Sequence, residues 1–287
     1  MRKIGFIGLG IMGKPMSLNL LKAGFQVGIL AKSNAAGDLL TAGAISFPSA
    51  RALTEFADIV ITMLPDSAEV LDVVFRIDGI LKGIAPGKQF IDMSTIAPAT
   101  TLSIYEKMKF IGVDALDAPV SGGQVGAESA SLSIMVGGSE EGFKNTLPVF
   151  QAMGKNIIYM GAPGSGQVTK ACNQMIVGMT IQAVAEAFAL GKKAGVDLEK
   201  MRDVLLGGFA QSKILDLHGK RIIEENFKPG FKTKLHKKDM GIALKTGDEL
   251  GVELPGTMLV DQIMKKALEA GYGELDHSSL SLLLDKK

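Results

Sequence analysis

Between Lys3 and Gly24 the chain reads as a short apolar strand (Ile4, Phe6, Ile7), a glycine-punctuated turn and a helix-periodic run from Lys14 to Ala23 that stops at Gly24. No other stretch restricts the fold as much. The turn is Gly8-Leu9-Gly10-Ile11-Met12-Gly13, and a G-x-G-x-x-G run has physical meaning only in such a setting. The first glycine permits the turn, the second lets the backbone approach a pyrophosphate, and the third lets helix and strand pack closely. The helix start then offers unbonded amides and a positive dipole end to phosphates. Gly8, Leu9, Gly10, Ile11, Met12 and Gly13 are therefore expected to bind a dinucleotide.

Phe25 to Leu30 reads as a second strand, whose end normally selects the nicotinamide cofactor. An acid about twenty residues past the glycines holds a ribose 2′-hydroxyl, whereas a basic residue accepts a 2′-phosphate. Here the segment is Leu30-Ala31-Lys32-Ser33-Asn34, with no acid before Asp38. Lys32 and Ser33 are read as phosphate contacts, which favours NADP over NAD; the other reading of Lys32 is a solvated loop lysine.

The alternation continues. Ile59 to Met63 is a buried-type strand ending in Leu64-Pro65, with Asp66 and Ser67 as the cap of the next helix. Phe90 to Met93 ends at Ser94-Thr95. Ligands of open α/β sheets bind at such strand ends, so Leu64, Pro65 and Thr95 are read as cofactor walls. Val113 to Ala115 leads into Asp117-Ala118-Pro119-Val120-Ser121-Gly122-Gly123, and Leu132 to Val136 and Ile157 to Tyr159 complete the sheet. Strands and helical connections in this rhythm predict a Rossmann-type, doubly wound, mostly parallel sheet.

From Gly164 onward strand signals disappear. The expected organisation is a nucleotide-binding domain over 1–163 and an all-helical substrate and dimerisation domain over 164–287, joined by a long helix over 164–195. Apolar residues recur through that helix at helical spacing (Val168, Ala171, Cys172, Met175, Ile176, Met179), which predicts burial on most sides. Lys170 and Asn173, three apart, share one face. On spacing alone, a solvated first-turn lysine is the commoner reading than a catalytic one.

Bulk properties exclude more than they identify. With 47% hydrophobic and 21% charged residues and a net charge of +1, there is no electrostatic case for nucleic acid or a polybasic membrane patch. The single Cys172 rules out an internal disulfide. The N-terminus runs directly into a strand, and no uncharged apolar run of membrane-spanning length has the right flanks. A soluble, cytoplasmic protein is expected. His218, His236 and His277 lack metal-ligand spacing, so no metal is expected.

Four separated motifs now combine: GFIGLGIMGKPM (5–16), DAPVSGG (117–123), GSGQVTKACNQ (164–174) and KKDMGIAL (237–244). Together they resemble the β-hydroxyacid dehydrogenase family, over essentially the whole chain. FKPGFKTKLHKKDM (227–240) and DHSSL (276–280) are most similar to its tartronate semialdehyde branch. The resemblance implies a homodimeric or homotetrameric NAD(P)-dependent enzyme interconverting a short β-hydroxy acid and its semialdehyde. It makes Lys170 the catalytic lysine and Asn173 its partner. Ser121, Gly122 and Gly123 become the substrate-carboxylate cradle, Phe231 a pocket wall, Lys238 a cofactor contact, and Asp239 a substrate-side neighbour. Glyoxylate, succinic semialdehyde and 3-hydroxyisobutyrate are the alternative substrates; a non-catalytic dehydrogenase-like binding module is the alternative of another class.

Overall fold

The computed structural model describes residues 2–30 and 36–284. Contact density divides the chain into two compact units, Met1–Lys170 and Ala171–Lys287.

The first unit alternates strand and helix: β1 (Lys3–Ile7), α1 (Gly13–Lys22), β2 (Gln26–Leu30), α2 (Ala36–Thr41), β3 (Ile45–Phe47), α3 (Ala50–Phe56), β4 (Ile59–Thr62) and α4 (Ser67–Phe75). It continues with β5 (Gln89–Asp92), α5 (Pro98–Phe110), β6 (Asp114–Asp117), β7 (Val120–Ser121), α6 (Gly123–Glu128), β8 (Leu132–Gly137), α7 (Glu140–Gln151) and β9 (Gly154–Gly161). The sheet order is β3-β2-β1-β4-β5-β6-β8-β7, with β9 on β8. Pairing from β3 through β6 is parallel; β8 runs antiparallel to β6 and β7, and parallel to β9. The mostly parallel expectation therefore holds, and the first six strands take the order of a dinucleotide-binding sheet.

Alternate side chains of β1 explain why the sheet carries helices on both faces. Ile4 and Phe6 join a core with Met16, Leu20, Val27 and Ile29, whereas Ile7 joins Leu53, Val60, Val70 and Phe90. Each such side chain contributes about 1.5–3 kcal/mol when fully buried, so neither face can be left to water. Asp66 caps α4 by accepting from the Ser67 N–H, as its sequence position indicated.

After β9 the structure is helical: α8 (Ser165–Lys193), α9 (Leu198–Leu206), α10 (Lys213–Ile223), α11 (Thr233–Leu250), α12 (Pro255–Glu269) and a closing 3₁₀ segment, His277–Leu283. In the second unit Ile181 packs with Met240, Val260, Met264 and Leu280, and Val184 and Phe188 pack with Leu215.

One expectation about α8 needs correction. It is not buried on most sides, because Cys172, Ile176 and Leu190 are exposed. Periodicity identifies a second apolar stripe but not what, if anything, covers it. By length and composition α8 also qualifies as a membrane span, with a mean hydropathy of 1.3 over its most apolar stretch. Yet Gln167, Lys170, Gln174 and Gln182 on it are buried polar residues, which suits the core helix of a folded protein rather than a lipid-facing one.

Candidate active site

The three glycines of the loop after β1 have three different reasons to be glycine. Gly8 has φ +104°, and a Cβ there would lie 2.2 Å from the Met63 carbonyl oxygen. Gly13 begins α1 so close to the turn that its Cβ would lie 1.8 Å from the Gly8 oxygen and 2.9 Å from the Phe6 ring. A Cβ on Gly10 would meet nothing within 4 Å. Two of the glycines thus serve the protein's own packing, and the middle one leaves space against the backbone. Leu9 is buried and Ile11 half exposed. Met12, at the N-cap of α1, makes no side-chain cap, and no acid occupies the first turn. These features fit a dinucleotide phosphate: space over the Gly10 backbone, the positive dipole end of α1 and no acid in its first turn.

The neighbouring strand ends are tied to this loop. Met63 donates its N–H to the Ile7 carbonyl. Leu64 donates its N–H to Ser94 Oγ (2.9 Å), which joins the Leu64-Pro65 and Ser94-Thr95 loops. Lys14 pairs with Asp38, the first acid after β2. Lys32 and Ser33, expected to contact the cofactor, lie outside the described residues.

Beneath these loops sits Asp92, which sequence reasoning passed over. Its Oδ1 accepts from the Thr62 hydroxyl (2.7 Å) and the Ser94 N–H (3.2 Å), while Oδ2 is buried without a hydrogen-bond partner among the described residues. Burial raises its carboxyl to about 6, against the pull of those donors. The folded chain therefore holds a proton that the unfolded chain releases near pH 4, so this group makes folding less favourable as pH rises from about 4 to about 6. At 1.36 kcal/mol per pH unit the loss is about 3 kcal/mol. Asp92→Asn is expected to gain about 2–3 kcal/mol on wild type between pH 4 and 7.5 in urea unfolding. A stability difference that stays constant across that range contradicts the assignment.

The start of α8 is fixed by two residues from the sheet side. Asp117, at the end of β6, accepts from the N–H groups of Gly164 (2.8 Å) and Gln167 (2.9 Å). Burial raises its carboxyl, with those amides pulling the other way. The Gln167 side chain donates to the Ser94 carbonyl (2.8 Å) and accepts from the Ile96 N–H (3.2 Å). Lys170, one turn into the helix and 7% exposed, is held at that spot by these partners. Ser121 ends β7, and Gly122 and Gly123 follow with φ of +134° and +60° at the start of α6. That backbone is closed to most L side chains, and Gly122 makes no side-chain cap.

In the second unit, Asn173 donates from Nδ2 to Gln174 Oε1 (2.8 Å), and Gln174 Nε2 donates to Asp239 Oδ2 (2.6 Å). Lys238 Nζ lies 3.0 Å from Asp239 Oδ1, so the buried Asp239 carboxylate is engaged on both oxygens. Phe231 donates its N–H to Asp276 Oδ2 (3.1 Å) and packs its ring edgewise on His236 and His277. The three histidines, unrelated by spacing, thus meet in space. One ligand atom each from His218, Asp276 and His277 lies within 4.8 Å of the others. No local pattern announced that cluster, and none announced Gln174, whose partners are 62 and 65 residues away.

Comparison with known proteins agrees along the whole chain. The family model described as the NAD binding domain of 6-phosphogluconate dehydrogenase matches residues 3–161. A second, described as the NAD-binding domain of NADP-dependent 3-hydroxyisobutyrate dehydrogenase, matches residues 164–284. The chain is 44% identical to 2-hydroxy-3-oxopropionate reductase of Escherichia coli (strain K12), covering 99% of this chain and 97% of that one. It is similar to the structure of 3-hydroxyisobutyrate dehydrogenase of Mycobacterium tuberculosis with L-serine, at a TM-score of 0.91 and 35% identity over 100% of both chains. It is also similar to the structure of Psf3 in complex with NADP+ and 2-OPP, at a TM-score of 0.90 and 26% identity, covering 98% of this chain and 100% of the other.

Proposed function

Because the chain belongs to the β-hydroxyacid dehydrogenase family, and is thus an NAD(P)-dependent oxidoreductase acting on a CH–OH group, we propose that it reduces tartronate semialdehyde to glycerate with Lys170 as the proton donor. The observation that carries the mechanism is Lys170 itself: a buried lysine on a helix whose start is fixed by Asp117 and Gln167 to the strand ends of the glycine-loop sheet. The 44% identity to the Escherichia coli reductase supports the substrate.

When bound on the Gly8–Gly13 loop, the reduced nicotinamide supplies hydride for the carbonyl carbon. As negative charge builds on the carbonyl oxygen, the Lys170 ammonium stabilises it and donates a proton; in the reverse direction the neutral amine takes it back. Asn173, three residues further along α8, holds the substrate hydroxyl. The amides of Ser121, Gly122 and Gly123 hold the carboxylate, since glycine permits close approach. Leu64, Pro65 and Thr95 wall the cofactor and Lys238 contacts it, while Phe231 and Asp239 shape the substrate side.

Glyoxylate, succinic semialdehyde and the 3-hydroxyisobutyrate pair use the same chemistry, and one methylene changes discrimination by only about 1–3 kcal/mol. Comparing kcat/KM for tartronate, methylmalonate and succinic semialdehydes and glyoxylate tests the assignment; tartronate semialdehyde is expected to lead, and a clear lead for another reassigns the substrate. For the cofactor, Lys32 favours NADP over NAD. Steady-state rates with NADPH are expected to exceed those with NADH, and a clear NADH preference removes that role from Lys32. We further propose a cytoplasmic homodimer or homotetramer. The exposed apolar side chains of the second unit support self-association, among them Ile176, Leu190, Val204 and Phe209.

A further inference from the structure

Two acids of the first unit, Asp92 and Asp117, stand opposite each other at the ends of β5 and β6, and their oxygens are used differently. Asp117 uses both on the start of α8, accepting from the N–H groups of Gly164 and Gln167. Asp92 uses only Oδ1, which accepts from the Thr62 hydroxyl and the Ser94 N–H. The Ser94 hydroxyl lies near enough to draw the carboxyl down but makes no hydrogen bond to Oδ2. That oxygen is buried, and no donor among the described residues reaches it.

A second polar atom shares this condition. Thr101, in the first turn of α5, has a buried hydroxyl with no partner among the described residues. Threonines inside helices can bond back to the carbonyl four residues earlier, as Thr41, Thr146, Thr169, Thr180 and Thr246 do here. The Thr101 amide bonds to the Ala97 carbonyl in this way, but its hydroxyl does not. The hydroxyl is thus available to a partner outside its own helix.

Asp92 and Thr101 line one cavity of about 10 Å³. They are 3% and 7% exposed, so bulk water does not serve either group. An unpaired buried polar atom is costly to a fold, and two of them on one cavity point to a shared ligand. The volume decides which. A space of this size admits one water and no organic molecule. Apart from Asp117, whose oxygens are engaged, and Tyr105, the other lining residues are apolar. That wall supplies too few oxygens for a bare cation.

We propose that this cavity is a binding site for a single internal water, which bridges Asp92 Oδ2 and Thr101 Oγ1. Water both donates and accepts, so it serves the Asp92 carboxyl whether protonated or ionised. The bridge fastens the first turn of α5, which has neither a side-chain cap nor an acid, to the end of β5. Ser94 follows there, accepting the Leu64 N–H on its hydroxyl and the Gln167 side chain on its carbonyl. One water thereby links α5 to the loops that fix the start of α8. The site does not depend on which substrate the protein reduces.

A high-resolution crystal structure is expected to show one solvent peak about 2.7–3.2 Å from both Asp92 Oδ2 and Thr101 Oγ1. No peak, a peak reaching only one of them, or a Thr101 hydroxyl turned to the Ala97 carbonyl overturns the proposal. So does a peak with several oxygens at about 2.3–2.6 Å, which is a cation. Thr101→Val tests the bridge in solution, because valine keeps the shape and removes the hydroxyl. With the bridge present, the water loses an anchor and Asp92 a partner, so Tm is expected to fall by about 2–6 °C. In a dry cavity the same change removes an unpaired hydroxyl instead. An unchanged or raised Tm therefore overturns the proposal.

Discussion

Lys170→Ala is expected to lower turnover by about 10²–10⁴ while leaving the fold and cofactor affinity close to wild type. The separation follows from what holds the helix. Asp117 caps the start of α8 through the amides of Gly164 and Gln167, and Gln167 fastens it to Ser94 and Ile96. None of these four bonds uses the lysine side chain, so its removal leaves them intact. Lys170→Arg sharpens the test. Arginine keeps a positive charge but cannot release a proton at any accessible pH. If Lys170 only stabilised charge, the arginine variant would recover much of the activity; as proton donor, its loss should approach that of alanine. Near-normal kcat in Lys170→Ala, with circular dichroism and cofactor binding unchanged, would remove the residue from the mechanism.

The second large effect separates two glycines of one loop. Gly13→Ala forces a methyl group to within 1.8 Å of the Gly8 carbonyl oxygen and 2.9 Å of Phe6, both parts of the packed turn. Backbone cannot yield as a flexible side chain does, so the expected cost is about 3 kcal/mol or more in folding stability. Gly10→Ala meets nothing within 4 Å and has no left-handed backbone to strain. Its stability should match or exceed wild type by up to about 1 kcal/mol. Cofactor affinity should nonetheless fall by tenfold or more, about 1.4 kcal/mol, because the added methyl occupies the space a pyrophosphate needs. Calorimetry and cofactor titration on the pair measure both quantities. Equal stability loss in the two variants, or undiminished affinity in Gly10→Ala, would contradict this division of labour.

The parts of the molecule that were legible in the sequence are those determined locally. β1, the glycine turn and α1 follow from residues within about twenty positions of one another, and the structure moves the helix start only from Lys14 to Gly13. Asp66 read as a cap because a cap acts on its immediate neighbours. The reversal at β8 was not readable: Leu132–Val136 is an apolar run that looks the same whichever way its partner points. Asp117 stood in a motif, yet its hold on α8 spans 47 and 50 residues. Asp92 looked like an ordinary strand residue, since nothing local shows that one of its oxygens is buried without a partner. The histidines illustrate the same limit. At 218, 236 and 277 they match no ligand spacing, and only the packing of three elements brings them together.

Asp276 has a consequence for the order in which the protein can be completed. Chains fold from the N-terminus as they are synthesised, and in the first unit the strand pairs β1–β2, β4–β5 and β5–β6 join residues only 23 to 30 apart. The loop bearing Phe231 is different: its amides at Gly230 and Phe231 bond to a carboxylate translated 46 and 45 residues later. His236, whose Nδ1 stands 2.8 Å from His277 Nδ1, likewise waits for the last segment. A ribosome stalled shortly before codon 276 would therefore carry a chain with its glycine loop and Lys170 already made and its Phe231 loop still lacking an anchor. The fold of the Phe231 loop is thus completed only once Asp276 has been made.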